Sequence, residues 1–207
     1  MNENVFKEYD IRGIVENDFS TSFVNDLGRA YGTVLVNNNQ KHLSVSGDIR
    51  KTTIRLKNDF IDGLLDVGVN VYDLGILPTP VNYFSLFNTD IHNSVQITGS
   101  HNPPEYNGFK LSFNKKPFFG KDIQKLKDII LNNDFKITSI KGQLFKTDIR
   151  EDYISDIKSK INIENNIKCV MDCGNATAGL IAPQLFKELN IDRGALCEMK
   201  GQIIRRA

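Results

Sequence analysis

The sequence has 207 residues, of which 40% are hydrophobic and 25% charged, and its formal net charge is +1. This composition is typical of a folded globular chain and excludes the disordered and fibrous classes. Because the net charge is close to zero, no overall electrostatic field favours nucleic acid or an anionic membrane as a partner.

The sequence shows neither a membrane-spanning segment nor a secretory signal peptide. No apolar run approaches the roughly 18 residues that a membrane span needs. The first ten residues, MNENVFKEYD, lack the apolar core of a signal peptide. We therefore predict a cytoplasmic protein with no nucleic-acid or membrane partner; its oligomeric state is left open.

The first predicted elements alternate between strand and helix. The run HLSVSGD at 42–48 is β-prone. In the following TIRLKNDFIDGLLDVG, Leu56, Phe60 and Leu64 recur every four residues, which predicts an amphipathic helix. Gly68 stands where that helix should end. The next run, VNVYDLG, is a second predicted strand.

The alternation continues towards residue 100. LPTPVNYFSLF predicts a helix with Pro80 near its first turn, and NSVQITGS is a third strand. Strand–helix–strand repeats favour right-handed βαβ units and a mostly parallel sheet, with ligands beyond the carboxyl ends of the strands. Asp48 and Ser100 each follow a predicted strand, so we expect them at the same edge of the sheet.

Two more helices follow. KDIQKLKDIILNN places Ile123, Leu126 and Ile130 on one face, and DIREDYISDIKSKI begins with Asp148 as a plausible N-cap. These runs predict helices that flank the sheet.

The run IKCVMDCGNATAGLIAPQLFKEL then restarts the pattern with a strand, a loop and a helix. We therefore predict an α/β fold in two parts. Residues 1–150 form a mixed, mostly parallel sheet sandwiched by helices, and residues 151–207 begin a second, incomplete α/β domain.

The stretch ITGSHNPPEYNGFKLSF, residues 97–113, has two interpretations. In the first it is a turn, because Asn102-Pro103 and Asn107-Gly108 are strong turn signals and the FKLSF that follows alternates like a strand. Its serine and histidine would then be ordinary solvent-facing residues.

The second interpretation is chemical. The loop carries a hydroxyl at Ser100, an imidazole at His101 and an ammonium at Lys110, and it follows a parallel strand, where backbone amides can hold an anion. A serine hydrolase would need a Gly-x-Ser-x-Gly elbow and a buried carboxylate, and ITGSHN has no such elbow. A serine among cationic groups suits phosphate better than an acyl group.

A family resemblance favours the chemical interpretation. TGSHNPPEYNGFK closely resembles the active-site loop of the α-D-phosphohexomutases, the phosphomannomutase/phosphoglucomutase enzymes. FKEYDIRGIV, SGDIRKTT, DLGILPTPVNYF and VMDCGNATAGLIAPQLFKEL resemble further segments of that family, in family order. Together these segments span roughly residues 5–190.

The resemblance implies roles for five residues. Ser100 would carry the phosphoryl group, donate it to a hexose monophosphate and offer Mg²⁺ a phosphate oxygen. Lys110 and Arg12 would transfer protons and stabilise phosphoryl charge. His101 would bind near the phosphate or the substrate, and Tyr9 would line the same pocket, although a packing role for Tyr9 is an open alternative.

Five other residues are expected to support the loop. Asp48 and Arg50 would brace it from the neighbouring strand end, and an ordinary exposed ion pair is the alternative. Asn102, Asn107 and Gly108 are interpreted as shaping the loop rather than reacting.

The function implied by the resemblance is interconversion of hexose 1-phosphate and hexose 6-phosphate, with Mg²⁺ and a hexose 1,6-bisphosphate activator. Family members are more than twice as long, and their Asp-Gly-Asp metal loop and their substrate-phosphate loop have no match here. We therefore expect an N-terminal fragment that is weak or inactive alone, with an artificial ending at IIRRA. The alternative is a non-catalytic phosphate-binding or partner-docking module.

Overall fold

The computed structural model describes residues 2–164 and 167–197. The strands in this part of the chain are β1 Ile11–Ile14, β2 His42–Gly47, β3 Asn70–Ile76, β4 Ser94–Ile97, β5 Tyr106–Phe113, β6 Lys116–Pro117, β7 Leu144–Lys146, β8 Lys168–Asp172 and β9 Asp192–Cys197. The α-helices are α1 Val15–Asp18, α2 Thr21–Asn37, α3 Thr53–Asp66, α4 Thr79–Asn88, α5 Lys121–Leu131, α6 Arg150–Lys160 and α7 Ala182–Glu188.

The main sheet has the strand order β1-β5-β4-β2-β3-β7, and β6 pairs with β5. The pairs β4–β2, β2–β3 and β3–β7 are parallel, whereas β5 is antiparallel to each of its neighbours. Every strand of this sheet except β5 therefore runs in one direction. The expected mixed, mostly parallel sheet is confirmed.

Helices cover both faces of the sheet. Helices α2, α3 and α5 contribute to the larger hydrophobic cluster, and α4 and α6 contribute to a second one. The central strands β2 and β4 are buried almost throughout, as expected for parallel strands with both faces covered. The predicted sandwich of helices around the sheet is confirmed.

The apolar face predicted for α3, with one apolar residue in every four, is present in the structure. Leu56, Phe60 and Leu64 have no exposed surface and face the larger cluster. Gly68 follows the helix with φ of +80°, a conformation that glycine adopts without steric cost, so the helix ends where the sequence indicates.

The α2 helix begins with a side-chain cap, which provides a first testable prediction. The hydroxyl of Ser20 accepts a hydrogen bond from the Phe23 backbone N–H at 3.3 Å. Ser20→Ala should lower the free energy of unfolding by about 1 kcal/mol, because it removes the acceptor of an otherwise unpaired helix amide. Urea unfolding measures the change. Ser20→Asp keeps an acceptor and should restore the stability; equal losses in both variants would contradict the capping role.

The prediction of a turn at Asn107-Gly108 is wrong, because both residues lie inside β5, where they pair with β1. Asn107 is buried, and its amide Nδ2 donates to the hydroxyls of Thr52 and Thr53, each at 3.0 Å. A Cβ on Gly108 would lie 2.2 Å from the Ile11 carbonyl oxygen. The close approach of β1 therefore needs glycine here, and tertiary pairing overrides the local turn signal.

Two helix details also differ from the predictions. In α5 it is Ile129 that is buried, and Ile130 is only partly buried against the core. In α6 the N-cap position is Ile149 rather than Asp148. The Asp148 carboxylate nevertheless accepts from the Arg150 backbone N–H at 3.1 Å, so it still satisfies one amide of the first turn.

The restart of the strand–helix pattern after α6 is present, with β8 and β9 forming a separate parallel pair around α7. Ile154 and Ile181 pack in one cluster with residues of the first part, namely Leu74, Leu77, Val81 and Ile149. The division into domains 1–150 and 151–207 stays a prediction. The predicted artificial ending at IIRRA lies outside the described residues, which end at residue 197.

Within residues 2–164 and 167–197, none of the helices combines the length and apolar character that crossing a bilayer requires.

Candidate active site

The loops that follow β2 and β4 meet at the carboxyl ends of these adjacent parallel strands, as the topology predicts. The Thr98 hydroxyl donates to the Asp48 carboxylate at 2.7 Å, and the Gly99 N–H donates to the same oxygen at 3.2 Å. Asp48 also accepts from the Arg50 backbone N–H at 2.9 Å and from the Thr53 hydroxyl at 2.7 Å. The Asp48 carboxylate therefore joins the loop between β4 and β5, residues 98–105 (the serine loop), to the start of α3.

The Arg50 side chain holds the serine loop by binding backbone carbonyl groups of that loop. Its guanidinium donates to four carbonyl oxygens, those of Ser100 at 3.1 Å, Asn102 at 2.6 Å, Pro103 at 2.6 Å and Tyr106 at 3.0 Å. Nε of Arg50 also donates to the Asp48 carboxylate at 3.2 Å. The two side chains are only 15% and 14% exposed, so this pair differs from the exposed ion pair of the alternative interpretation.

Ser100 lies at the exposed tip of the clamped loop. Its φ is +54°, a left-handed conformation that is uncommon for a residue other than glycine and persists where the surroundings enforce it. The Ser100 N–H donates to the Thr98 hydroxyl at 2.9 Å, and its Oγ lies 3.3 Å from Nδ1 of His101. The loop thus presents a hydroxyl to solvent beside an imidazole.

Arg12 joins β1 to the same loop. Its Nη1 donates to the Gly99 carbonyl at 3.0 Å and to the Asn102 side-chain oxygen at 2.6 Å. Its Nη2 donates to the Asp10 carboxylate, while its buried Nε has no hydrogen-bond partner among the described residues. The ammonium of Lys110 donates to the same oxygen of Asp10 at 3.1 Å.

Asp10 is the site residue that the sequence interpretation missed. Its carboxylate bridges the two cations assigned to phosphate chemistry, and its side chain is 13% exposed. The signal available in the sequence was its position two residues before Arg12 at the start of a strand, where side chains two apart point to one side. The family resemblance implies roles for Tyr9 and Arg12 in this segment but none for the aspartate between them.

A cavity of about 490 Å³ opens beside this cluster. Ser100 and Lys110 are not among the described residues that line it, but each adjoins a residue that does, since Ser100 precedes His101 and Lys110 binds Asp10. The lining includes Tyr9, Asp10, Arg12, His101, Asn102 and Tyr106.

Tyr9 and Tyr106 line this cavity, and the charge of Asp10 also acts on a third tyrosine, Tyr83 of α4. Tyr9 has 73% of its surface exposed and its ring centre is 6.2 Å from that of Phe119, so it is not packed in the core; its contact with a substrate stays a prediction. Tyr83 is 40% exposed, so its phenol is only partly buried. This partial burial raises the pKa of the phenol, and the negative charge of Asp10 raises that pKa further.

The described residues contain no group of three or more His, Cys, Asp or Glu side chains that could hold a metal ion. The side chains at the loop and beside it are the Ser100 hydroxyl, the His101 imidazole, the cations of Arg12 and Lys110, and the carboxylates of Asp10 and Asp48, which are already paired with cations. The residues described therefore do not fit a protein cage for Mg²⁺.

The fold and the site together define an α/β/α domain whose polar loops converge at the carboxyl ends of its parallel strands. The family model described as "Phosphoglucomutase/phosphomannomutase, alpha/beta/alpha domain I" matches residues 3–137. The chain belongs to this phosphoglucomutase/phosphomannomutase family, as its motifs implied.

Curated relatives agree with this assignment. The chain is 37% identical to a phosphomannomutase/phosphoglucomutase of Pseudomonas syringae pv. tomato, over 92% of this chain and 40% of the relative. It is 36% identical to a protein of the same name from Pseudomonas aeruginosa, over 96% of this chain and 42% of the relative. The chain thus spans about two fifths of the length of these relatives.

Solved structures agree on the fold. A phosphoglucomutase/phosphomannomutase family protein from Burkholderia thailandensis superposes with a TM-score of 0.91 at 32% identity, over 97% of this chain and 45% of that one. A putative phosphomannomutase from Thermus thermophilus superposes with a TM-score of 0.80 at 20% identity, over 92% of this chain and 45% of that one, which supports the fold alone.

Proposed function

We propose that this chain carries the phosphoserine part of a hexose-phosphate mutase. The whole protein would interconvert hexose 1-phosphate and hexose 6-phosphate of glucose or mannose through a phosphoserine and a bisphosphate intermediate. One observation carries the proposal: Ser100 presents an exposed hydroxyl from a loop whose backbone is clamped by Arg50. Phosphoryl transfer depends mainly on positioning and on charge stabilisation, and a rigid loop next to cations supplies both.

The proposed transfer assigns a task to each of four side chains. A bond forms between Ser100 Oγ and phosphorus while the bond from phosphorus to the sugar oxygen breaks. His101, at 3.3 Å from Oγ, accepts the serine proton, and the Lys110 ammonium donates a proton to the departing oxygen. Arg12 stabilises the charge of the transferring group. The reverse sequence delivers the phosphoryl group to the other hydroxyl of the sugar.

The remaining assigned residues bind or support. Tyr9 is proposed to contact the sugar, because it lines the cavity next to Asp10 and Arg12. Asp48, Arg50 and Asn102 are proposed to keep the loop in shape. Asn107 and Gly108 contribute from within β5, where they anchor the strand that carries Lys110.

The cofactors and the setting are part of the same proposal. Mg²⁺ would take its protein carboxylates from outside the described residues, and no step proposed here runs through it. A hexose 1,6-bisphosphate would recharge Ser100, and the setting would be the cytoplasm. The chain on its own is proposed to turn over weakly or not at all in the steady state, because binding energy from the rest of the substrate site helps to position the reacting group. A slow single transfer of phosphate to and from Ser100 is still expected.

A second candidate function is a non-catalytic phosphate-binding or partner-docking module. It is favoured by the apolar surface of β8 and the residue before it, since Val170 is 70% exposed and Ile167 is 44% exposed. Exposed apolar surface of this kind is common at binding sites. In this case Ser100 would remain unmodified while a partner bound the chain.

The test is a phosphorylation experiment. The purified chain is incubated with glucose 1,6-bisphosphate and analysed by peptide mass spectrometry, with Ser100→Ala as the control. We expect a phosphate on Ser100 in the wild type, its loss after addition of glucose 6-phosphate, and none on the equivalent peptide of the variant. A chain that never carries phosphate on Ser100, or carries it equally well elsewhere in the variant, contradicts the proposal and favours the docking module.

A further inference from the structure

Asp10 pairs with Arg12 and Lys110, the two cations that the proposed mechanism assigns to phosphate. A single oxygen of its carboxylate accepts hydrogen bonds from both Arg12 and Lys110. The side chains of Asp10 and Arg12 are 13% and 12% exposed, and that of Lys110 is 30% exposed, so the three charges are partly shielded from solvent. Charge interactions at such a site are stronger than at an open surface.

The charge balance of this cluster explains how it can be stable without a ligand. Two cations and one carboxylate leave a net charge of +1, and each cation has an anionic partner. Two unpaired cations at this depth would repel each other and lose solvation. The carboxylate therefore supplies the negative charge that both cations require. The negative charge of Asp10 also acts on α4, because it contributes to the raised pKa of Tyr83.

We infer that Asp10 is a placeholder anion: it holds Arg12 and Lys110 in position before phosphate arrives and weakens phosphate binding by its own negative charge. This role rests on the proposed function, because it presumes that a phosphoryl group visits the cluster. It is a positioning role, since Asp10 acts through Arg12 and Lys110.

A phosphoryl group that reaches Arg12 and Lys110 meets two cations whose charge Asp10 already partly neutralises. Nη1 of Arg12 is engaged by the Gly99 carbonyl and the Asn102 side chain, whereas Lys110 has further N–H donors besides the one it gives to Asp10. The phosphoryl group can therefore bind these cations, but it does so against the negative charge of Asp10. A site of this design holds a phosphorylated intermediate less tightly than two unpaired cations would, which favours the release and reorientation that the proposed mutase cycle requires.

The test measures inorganic phosphate binding by isothermal titration calorimetry at low ionic strength, on chains whose Ser100 is shown by mass spectrometry to be unmodified. Asp10→Asn keeps the shape of the side chain and one oxygen acceptor but removes the charge. We expect it to bind phosphate about five- to tenfold more tightly than the wild type, as loss of one nearby like charge predicts. Raising the salt concentration should reduce this gain.

Two control variants test whether the change in phosphate affinity arises at the Asp10–Arg12–Lys110 cluster. Asp122→Asn removes one negative charge from the exposed first turn of α5 and should leave phosphate affinity within twofold of the wild type. Arg12→Gln should abolish the binding, which assigns it to this cluster. Circular dichroism of each variant verifies that the chain is folded.

Whether Asp10→Asn raises or lowers the phosphate affinity distinguishes a placeholder anion from a residue that only holds the cations in place. If Asp10 served only to hold the cations in place, Asp10→Asn would bind phosphate equally or more weakly; that result, with binding still dependent on Arg12, overturns the placeholder role and leaves the phosphate site intact. If neither the wild type nor Asp10→Asn binds phosphate, the placeholder role fails together with the phosphate site itself.

Discussion

Arg50→Ala is expected to lower the free energy of unfolding by about 2–4 kcal/mol and to prevent the phosphorylation of Ser100. The substitution removes the donor from the carbonyl oxygens of Ser100, Asn102 and Pro103, and it leaves the Asp48 carboxylate without its cation. Unpaired polar groups in a partly buried loop cost free energy, and the loop should lose the geometry that presents Ser100.

Urea unfolding and phosphorylation by glucose 1,6-bisphosphate measure the two effects. Arg55→Ala is the control, because Arg55 is 41% exposed and makes fewer contacts than Arg50, one with the Asp59 carboxylate and one with the Phe19 carbonyl, each at 3.1 Å. That variant should lose no more than about 1 kcal/mol and keep normal phosphorylation. Arg50→Lys should fall between the two, since one ammonium cannot reach all of these carbonyls. Similar behaviour of the Arg50→Ala and Arg55→Ala variants would disprove the clamp.

Phe60→Ala is the substitution with the largest expected effect on stability. The side chain has no exposed surface, and its ring centre lies 5.2 Å from that of Phe109 and 6.5 Å from that of Tyr31. Removing the ring leaves a cavity between α3 and β5, so the free energy of unfolding should fall by about 3–5 kcal/mol. Because Phe109 lies on the strand that carries Lys110, the site should loosen as well.

Thermal and chemical unfolding measure this loss. Ile54→Ala on the same helix is the control, since Ile54 is 60% exposed, and it should stay within about 0.5 kcal/mol of the wild type. A Phe60→Ala variant as stable as Ile54→Ala would show that the core does not depend on this ring.

Several parts of the fold were predictable from the sequence because they depend on neighbours in the chain. The four-residue spacing of Leu56, Phe60 and Leu64 predicts α3, and the positive φ of Gly68 matches the predicted end of the helix. The repeated strand–helix pattern also predicts that Asp48 and the serine loop share one edge of the sheet, and they are in hydrogen-bond contact through Thr98.

Other features were not predictable in this way. Asn107-Gly108 has the local signature of a turn, yet both residues lie in β5 because β1 pairs with them from almost a hundred residues earlier. The antiparallel insertion of β5 between β1 and β4 likewise has no local signal.

The sequence by itself determined the α/β class, the family and the chemical character of the serine loop, because these are carried by short-range periodicity and by motifs that are contiguous in the chain. Only the tertiary structure decided that Arg50 clamps the loop through its carbonyls and that Asp10 bridges Arg12 and Lys110. The contact between Asp10 and Lys110 joins positions 100 residues apart. Such a contact depends on strand order and register, which no local pattern encodes.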